Sequence, residues 1–249
     1  MSKHFLFALL AVLFSVLPAR AETIVVAADA TWPPFEMLDE NKQVTGYGPD
    51  YIRAAAKEAG LEADVRNVAW DGIFAALGSN QCDAIASSVT ITPERQATMA
   101  FTKPYFENYQ ALVVLKDSPV QKLSDLKGKT VGGQIGTTGI LYTQRLNDTQ
   151  DLGAKVKTYD EVGLAMEDLK NGRIDAVACD DPVAAYYANR KEGYDGVMKV
   201  AFTAEAGEAM GFVFRPDDKE LAAKVNAGLA AIRANGKEKA IQTKWFGEQ

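Results

Sequence analysis

Histidine is almost missing from this sequence: His4 is the sole one, and it stands within the first few residues. Cysteine is scarce as well, with only Cys82 and Cys179. Nowhere is there an apolar run long enough to cross a bilayer. Positive charge is the minority, 27 Lys and Arg against 33 Asp and Glu, giving a net charge of −6. Each shortage excludes something. An acidic chain without a basic run is a poor partner for nucleic acid or an anionic membrane surface. Residues 1–21, MSKHFLFALLAVLFSVLPARA, have a basic start at Lys3, an apolar stretch from Phe5 to Val16, and the small-x-small site Ala19-Arg20-Ala21. This is the pattern of a cleaved signal peptide, so export to the periplasm is expected, with Glu22 as the new N-terminus. No cysteine follows the cleavage site, so a soluble rather than lipid-anchored protein is expected. Cleavage also removes Lys3, Arg20 and His4, moving the net charge to about −8. A mature chain without histidine has no Ser-His-Asp triad, no Cys-His pair and no imidazole metal site. No metal, no cofactor and no catalytic residue are expected.

The two cysteines form an even pair, which an oxidising compartment could join. Each, however, borders a different apolar strand, and two separate buried thiols are the expected state. Strand-like and helix-like stretches alternate along the chain, which indicates an α/β fold with parallel pairing. Thr23–Ala28, Asp83–Ser87, Ala111–Leu115, Thr130–Gly133 and Asp175–Cys179 read as strands. Pro49–Ala59 reads as a helix stopped by Gly60, and Pro216–Gly236 as a longer helix with Leu221, Val225 and Leu229 on one stripe. Asp160 and Asp181 stand where helix caps belong.

One internal echo suggests two lobes of similar build. FAALGSNQCDAIA (Phe74–Ala86) and MEDLKNGRIDAVA (Met166–Ala178) share a leucine, a turn, and then Asp-Ala-(Ile/Val)-Ala. Leu77 and Leu169 each precede their aspartate by six residues. Ligands of open α/β sheets bind beyond the carboxyl ends of strands. Two such units face to face would place the segment Ser88–Arg95 and Asp180 across one cleft.

A free amino acid presents a carboxylate, an ammonium and a side chain, and the sequence offers a partner for each. Thr92 and Pro93 read as the N-cap and first residue of a helix, which puts Arg95 in its first turn. A guanidinium there could grip a carboxylate in two parallel hydrogen bonds, assisted by the Ser88 and Thr90 hydroxyls, or simply pair with Glu94. Gly132–Gly139 (GGQIGTTG) runs from a strand into a helix, so the Thr137 and Thr138 amides would face an anion. It is no dinucleotide fingerprint, because Gln134 stands where a glycine is needed. Gly128-Lys129-Thr130 lacks the first glycine of a P-loop and reads as a turn. Asp180 ends an apolar strand, where a lone carboxylate is costly. A ligand ammonium or an intramolecular partner would satisfy it.

The set T-W-P-P-F-E (Thr31–Glu36), S-S-V-T-I-T-P-E-R (Ser87–Arg95), F-T-K-P-Y (Phe101–Tyr105), D-L-K-G-K (Asp125–Lys129), G-T-T (Gly136–Thr138), D-A-V-A-C-D-D-P (Asp175–Pro182) and K-W-F-G (Lys244–Gly247) resembles the family 3 solute-binding proteins, the polar amino-acid receptors of ABC importers. The resemblance runs over the whole mature chain. It implies a two-lobed type II periplasmic-binding-protein fold with a ligand cleft between lobes. Lobe 1 would be residues 22–109 and 206–249, lobe 2 residues 110–205, and the crossings Glu107–Leu112 and Ala206–Phe212 would form the hinge.

The resemblance further implies that Arg95, Ser88, Thr90 and the Thr138 amide take an α-carboxylate and Asp180 an α-ammonium. Trp32 and Trp70 would flank the side chain, and Asp29, Ser87, Gln134 and Cys179 would touch its end. Two tryptophans with Asp29 beyond them suit a cation, and Gln134 would suit glutamine instead. The family's Gly-aromatic-Asp-x-Asp is replaced by Gly46-Tyr47-Gly48-Pro49-Asp50. The expected function is a periplasmic, monomeric receptor that delivers a polar, cationic L-amino acid to an inner-membrane ABC permease. The alternative of another class is a cyclohexadienyl dehydratase, which would cast Asp29 or Glu36 as a general acid.

Overall fold

The computed structural model describes residues 21–194 and 196–248, so the expected signal peptide lies outside the described residues except for Ala21. Two five-stranded sheets organise the chain. The first runs in the spatial order Leu61–Asn67, Glu22–Ala28, Ala84–Ile85, Val213–Phe214, Ala100–Phe101, and the second in the order Lys155–Tyr159, Thr130–Gln134, Ala176–Asp180, Phe106–Leu115, Met198–Met210. In each sheet the first three strands are parallel and the fourth is antiparallel to the third. A three-stranded antiparallel ribbon of Thr31–Trp32, Glu36–Leu38 and Val44–Thr45 adjoins the first sheet.

The echo in the sequence is an echo in the structure. Leu77 and Leu169 are both buried, and each helix they belong to precedes the third strand of its sheet. Asp83 Oδ2 accepts the Val25 N–H at 2.8 Å, and Asp175 Oδ2 accepts the Thr130 N–H at 2.8 Å. In return the Asp83 N–H reaches the Val25 carbonyl and the Asp175 N–H the Thr130 carbonyl. The same carboxylate clasp thus ties the third strand to the second in both sheets. It satisfies a strand-edge donor that would otherwise need water. Both strand ends then open onto the space between the sheets, the crevice where strand order reverses.

Apolar alternation fills the cores. Ile24, Val26 and Ala28 of the first strand pack with Tyr51, Ile52, Ala55 and Ala56 of the helix Tyr47–Glu58. Val131, Ala176, Ala178, Leu112 and Val114 form a separate cluster under the second sheet. The long strands Phe106–Leu115 and Met198–Met210 pair antiparallel with irregularities at Val200/Phe202 and Thr203/Gly207, and Met210 bridges back to Thr90 beside the first sheet.

Several local expectations need correction. The last long helix begins at Lys219 rather than Pro216, because the Asp218 N–H closes a turn on the Arg215 carbonyl and its carboxylate pairs with Arg215. Gly236 adopts a left-handed backbone with φ 81°, and a further helix, Lys237–Phe246, follows it. Asp160 does not cap its helix. Glu161 occupies that position, and the Asp160 carbonyl instead receives Gln134 Nε2 at 2.8 Å. Asp181 is likewise the first helical residue rather than the cap; its Oδ1 accepts the Tyr109 N–H at 2.8 Å. Cys82 and Cys179 are free thiols, both buried, as expected.

Candidate functional site

A cleft enclosing ≈ 390 Å³, open solvent included, lies between the two sheets. All twelve residues singled out from the sequence line it: Asp29, Trp32, Trp70, Ser87, Ser88, Thr90, Arg95, Gln134, Thr137, Thr138, Cys179 and Asp180. Gln110 and Gly139 complete the wall.

The first sheet contributes through the end of Glu22–Ala28 and the loop after Ala84–Ile85. The Asp29 N–H donates to Ser87 Oγ at 2.9 Å, which fastens these two strand ends to each other. Ser88 then takes a left-handed conformation, φ 47°, that turns the chain toward Thr90. Thr92 caps the short helix Pro93–Gln96 by accepting the Arg95 N–H at 3.2 Å, as the Thr-Pro pair led us to expect. Arg95 is thereby aimed back at the cavity. Its Nη1 donates to the Thr90 carbonyl at 2.9 Å and its Nη2 to the Gly136 carbonyl at 3.2 Å. Its guanidinium carbon stands 5.6 Å from the centroid of Trp70. Arg95 does not pair with Glu94.

The second sheet answers with the end of Ala176–Asp180. Asp180 is buried and is not a lone carboxylate: Trp32 Nε1 donates to its Oδ2 at 2.9 Å, while Asn108 Nδ2 and Gln110 Nε2 donate to its Oδ1 at 2.7 Å each. Burial still outweighs these donors and pushes its carboxyl up to about 7, with Glu208 adding repulsion. Cys179 beside it is buried, and its thiol is pushed well above the usual thiol range. Thr137 caps the helix Thr138–Gln150, but its own amide is turned to the Gln134 carbonyl at 3.3 Å, so it does not face the cavity as an anion donor. At the opposite end Gln134 Nε2 donates to Asp29 Oδ2 at 2.8 Å, and Thr31 Oγ1 to Asp29 Oδ1 at 2.8 Å. Burial raises the Asp29 carboxyl above its ordinary value despite these donors.

Trp70 lines the cavity with both its indole N–H and its ring face already engaged. Its indole N–H is taken by the Ile135 carbonyl at 2.9 Å across the cleft, and its face meets Arg95. Three further residues join the site that the sequence reading did not single out. Asn108 and Gln110 hold Asp180, and Glu208 Oε2 accepts Thr138 Oγ1 at 2.7 Å, Gln110 Nε2 at 3.1 Å and Thr90 Oγ1 at 3.3 Å. Asn108 and Gln110 did leave a signal: two amides at period two, placed just ahead of the apolar run Ala111–Leu115. Glu36 lies behind Ser88 and does not line the cavity, which removes it as a general acid acting on a bound molecule. Among the described residues no cluster of three His, Cys, Asp or Glu side chains is placed to hold a metal, and no helix is long and apolar enough to cross a membrane.

Two similar α/β units facing each other across a cavity that holds one arginine and two aspartates define the two-lobed class of solute-binding proteins. The chain belongs to the bacterial extracellular solute-binding proteins, family 3, whose model matches residues 24–248. The ABC transporter arginine-binding protein 1 of Escherichia coli (strain K12) is 38% identical over 248 residues, covering 99% of each chain. An ancestral arginine-binding protein bound to arginine matches with a TM-score of 0.85 and 36% identity, covering 92% of this chain and 100% of the other. The ancestral arginine-binding protein bound to glutamine gives 0.84 and 36%, covering 91% and 98%. This is an amino-acid-binding protein of ABC transport systems; the arginine- and cystine-binding relatives it resembles are named as binding proteins, and one structural neighbour is an ancestral amino-acid-binding protein described as a precursor of cyclohexadienyl dehydratase.

Proposed function

We propose that the protein is a soluble periplasmic receptor for a cationic L-amino acid, arginine foremost, which it delivers to an inner-membrane ABC permease. The observation that carries this reading is the charge of the cavity. Arg95 is its one cation, against the carboxyls of Asp29 and Asp180, with Glu208 close behind Thr138. A zwitterion would leave the second carboxyl unpaired, whereas an amino acid with a cationic side chain balances it. Arg95, Ser88, Thr90 and the Thr138 amide take the α-carboxylate, and Asp180 takes the α-ammonium on the side left open by its three donors. Asp29 with Gln134, Ser87 and Cys179 receives the side-chain end, and Trp32 and Trp70 form its walls. The names of its relatives support the same ligand class.

In this reading residues 1–21 are a signal peptide, and the chain acts as a monomer. Residues 22–109 with 206–249 close against 110–205 about crossings near Glu107–Leu112 and Ala206–Phe212. Glutamine is the second ligand to consider, favoured by the Gln134 amide at the far end.

A thermal-shift panel of the twenty amino acids and ornithine tests the proposal. A ligand at a thousandfold its Kd stabilises the folded state by about 4 kcal/mol, which at roughly 2–4 °C per kcal/mol is plain to see. The largest shift is expected from a cationic L-amino acid, with its D-enantiomer silent. A response to glutamine alone would remove the cationic assignment. Silence toward every amino acid, with turnover of prephenate or arogenate, would overturn the receptor.

A further inference from the structure

Glu36 is fully buried in the ribbon strand Glu36–Leu38, yet the cavity does not need it as a wall. Its partner among the described residues is Ser88, whose Oγ lies 3.0 Å from Oε1 and 2.8 Å from Oε2 and whose backbone N–H also faces the carboxyl. No Lys or Arg among the described residues pairs with it. The groups that face it are acidic or phenolic: Asp29 and Asp180 across Ser88, and Tyr105. The space for its carboxyl exists because residue 48 is glycine. A Cβ at Gly48 would overlap Glu36 Oε1, and this is the position where the family's Gly-aromatic-Asp-x-Asp has its first aspartate. The departure in the motif and the buried acid are therefore one structural feature.

A carboxylate in such a place, with only the hydroxyl and backbone N–H of one serine as neutral partners, is far costlier than a carboxylic acid. The two states have opposite consequences for Ser88. An ionised Glu36 only accepts, so it consumes the single Ser88 hydrogen and leaves a hydroxyl that faces the cavity as an acceptor. A carboxylic acid gives its own proton to Ser88 Oγ, and the Ser88 hydrogen is then free. We propose that Glu36 is a positioning residue for ligand binding: as a carboxylic acid it donates to Ser88 Oγ, so that Ser88 donates its hydrogen to the carboxylate of the bound molecule. Burial, reinforced by Asp29 and Asp180, holds the Glu36 carboxyl well above the usual range, so the arrangement persists at neutral pH. This rests on the reading that Ser88 meets a ligand carboxylate.

The test combines infrared spectroscopy with calorimetry on the mature protein. At pH 8 the wild type should show a protonated carboxyl band that is missing in E36Q and shifts when L-arginine is added. No such band would mean that Glu36 is ionised, and the inference would fail. In calorimetry E36Q, whose amide still donates to Ser88, should bind L-arginine within about threefold of wild type. E36M, which cannot donate, and S88A should each weaken it by about thirtyfold. The double variant should be no worse than S88A, whereas a purely structural role would make the losses add. E36Q losing as much as E36M, or additive losses, would overturn the inference. Should E36M not fold, the infrared band and E36Q decide the matter alone. Failure of the wild type to bind any amino acid would instead refute the receptor reading.

Discussion

The two sheets carry the same unit and end it with opposite charge. After the clasp of Asp83 on Val25, the first sheet's third strand stops early and passes through Ser87, Ser88 and Thr90 to Arg95. After the equivalent clasp of Asp175 on Thr130, the second sheet's third strand runs straight to Asp180 and into a helix. A loop with a capped helical turn brings a cation back to the crevice, and a direct strand-to-helix passage leaves an anion there. In the proposed binding mode each lobe supplies the counter-charge for one end of a zwitterion.

Removing either charge should have the largest effect. Arg95→Ala and Asp180→Ala should each lower affinity for the amino acid on the order of a thousandfold, because each strands a buried ligand charge. Titration calorimetry checks this, and a loss confined to one variant would end the symmetry argument. Next comes the far end of the cavity. Asp29→Asn should weaken a cationic ligand by about tenfold to a hundredfold while leaving glutamine within about threefold, measured in the same instrument.

Asp180 should also make both stability and binding depend on pH. Its folded carboxyl is raised to about 7 from 3.8, so the folded protein holds a proton that the unfolded chain has already lost. Through Asp180, the stability of the ligand-free protein should therefore fall as pH rises from about 4 to about 7, by an amount on the order of 3 kcal/mol. Asp180→Asn should flatten that decline in denaturant titrations. Affinity for an amino acid should move the other way, rising with pH toward about 7 as the carboxylate forms, with proton release on binding below it.

The smallest effect concerns the scaffold. Asp83→Asn and Asp175→Asn should each cost about 1 kcal/mol of stability, read from urea midpoints, with affinity unchanged. Unequal costs would show that the two clasps are not equivalent.

Much of this was legible in the sequence, for reasons that differ by residue. The echo of Leu77 and Leu169 before their aspartates announced the paired units, and Thr92-Pro93 announced the cap that aims Arg95. Asp180 was legible as a buried acid ending a strand. Its partners were not, since Asn108 and Gln110 reach it through antiparallel pairing about 70 residues away in sequence. Helix ends were misread where neighbouring acids compete for the cap. At Asp180-Asp181 and Asp160-Glu161, tertiary hydrogen bonds to Tyr109 and Gln134 decide which residue enters the helix. Glu208 carried no local signal, because its role exists only where strand Met198–Met210 passes between Thr90 and Thr138.

The central claim, that one lobe grips the carboxylate and the other the ammonium, is tested most directly by calorimetry with two truncated ligands against the two charge variants. Agmatine lacks the carboxylate of arginine, and 5-guanidinopentanoate lacks its ammonium. Arg95→Ala should weaken L-arginine on the order of a thousandfold yet leave agmatine nearly unchanged, while Asp180→Ala should do the same for L-arginine and spare 5-guanidinopentanoate. Equal losses for arginine and both truncated ligands in either variant would contradict the division of charge between the lobes.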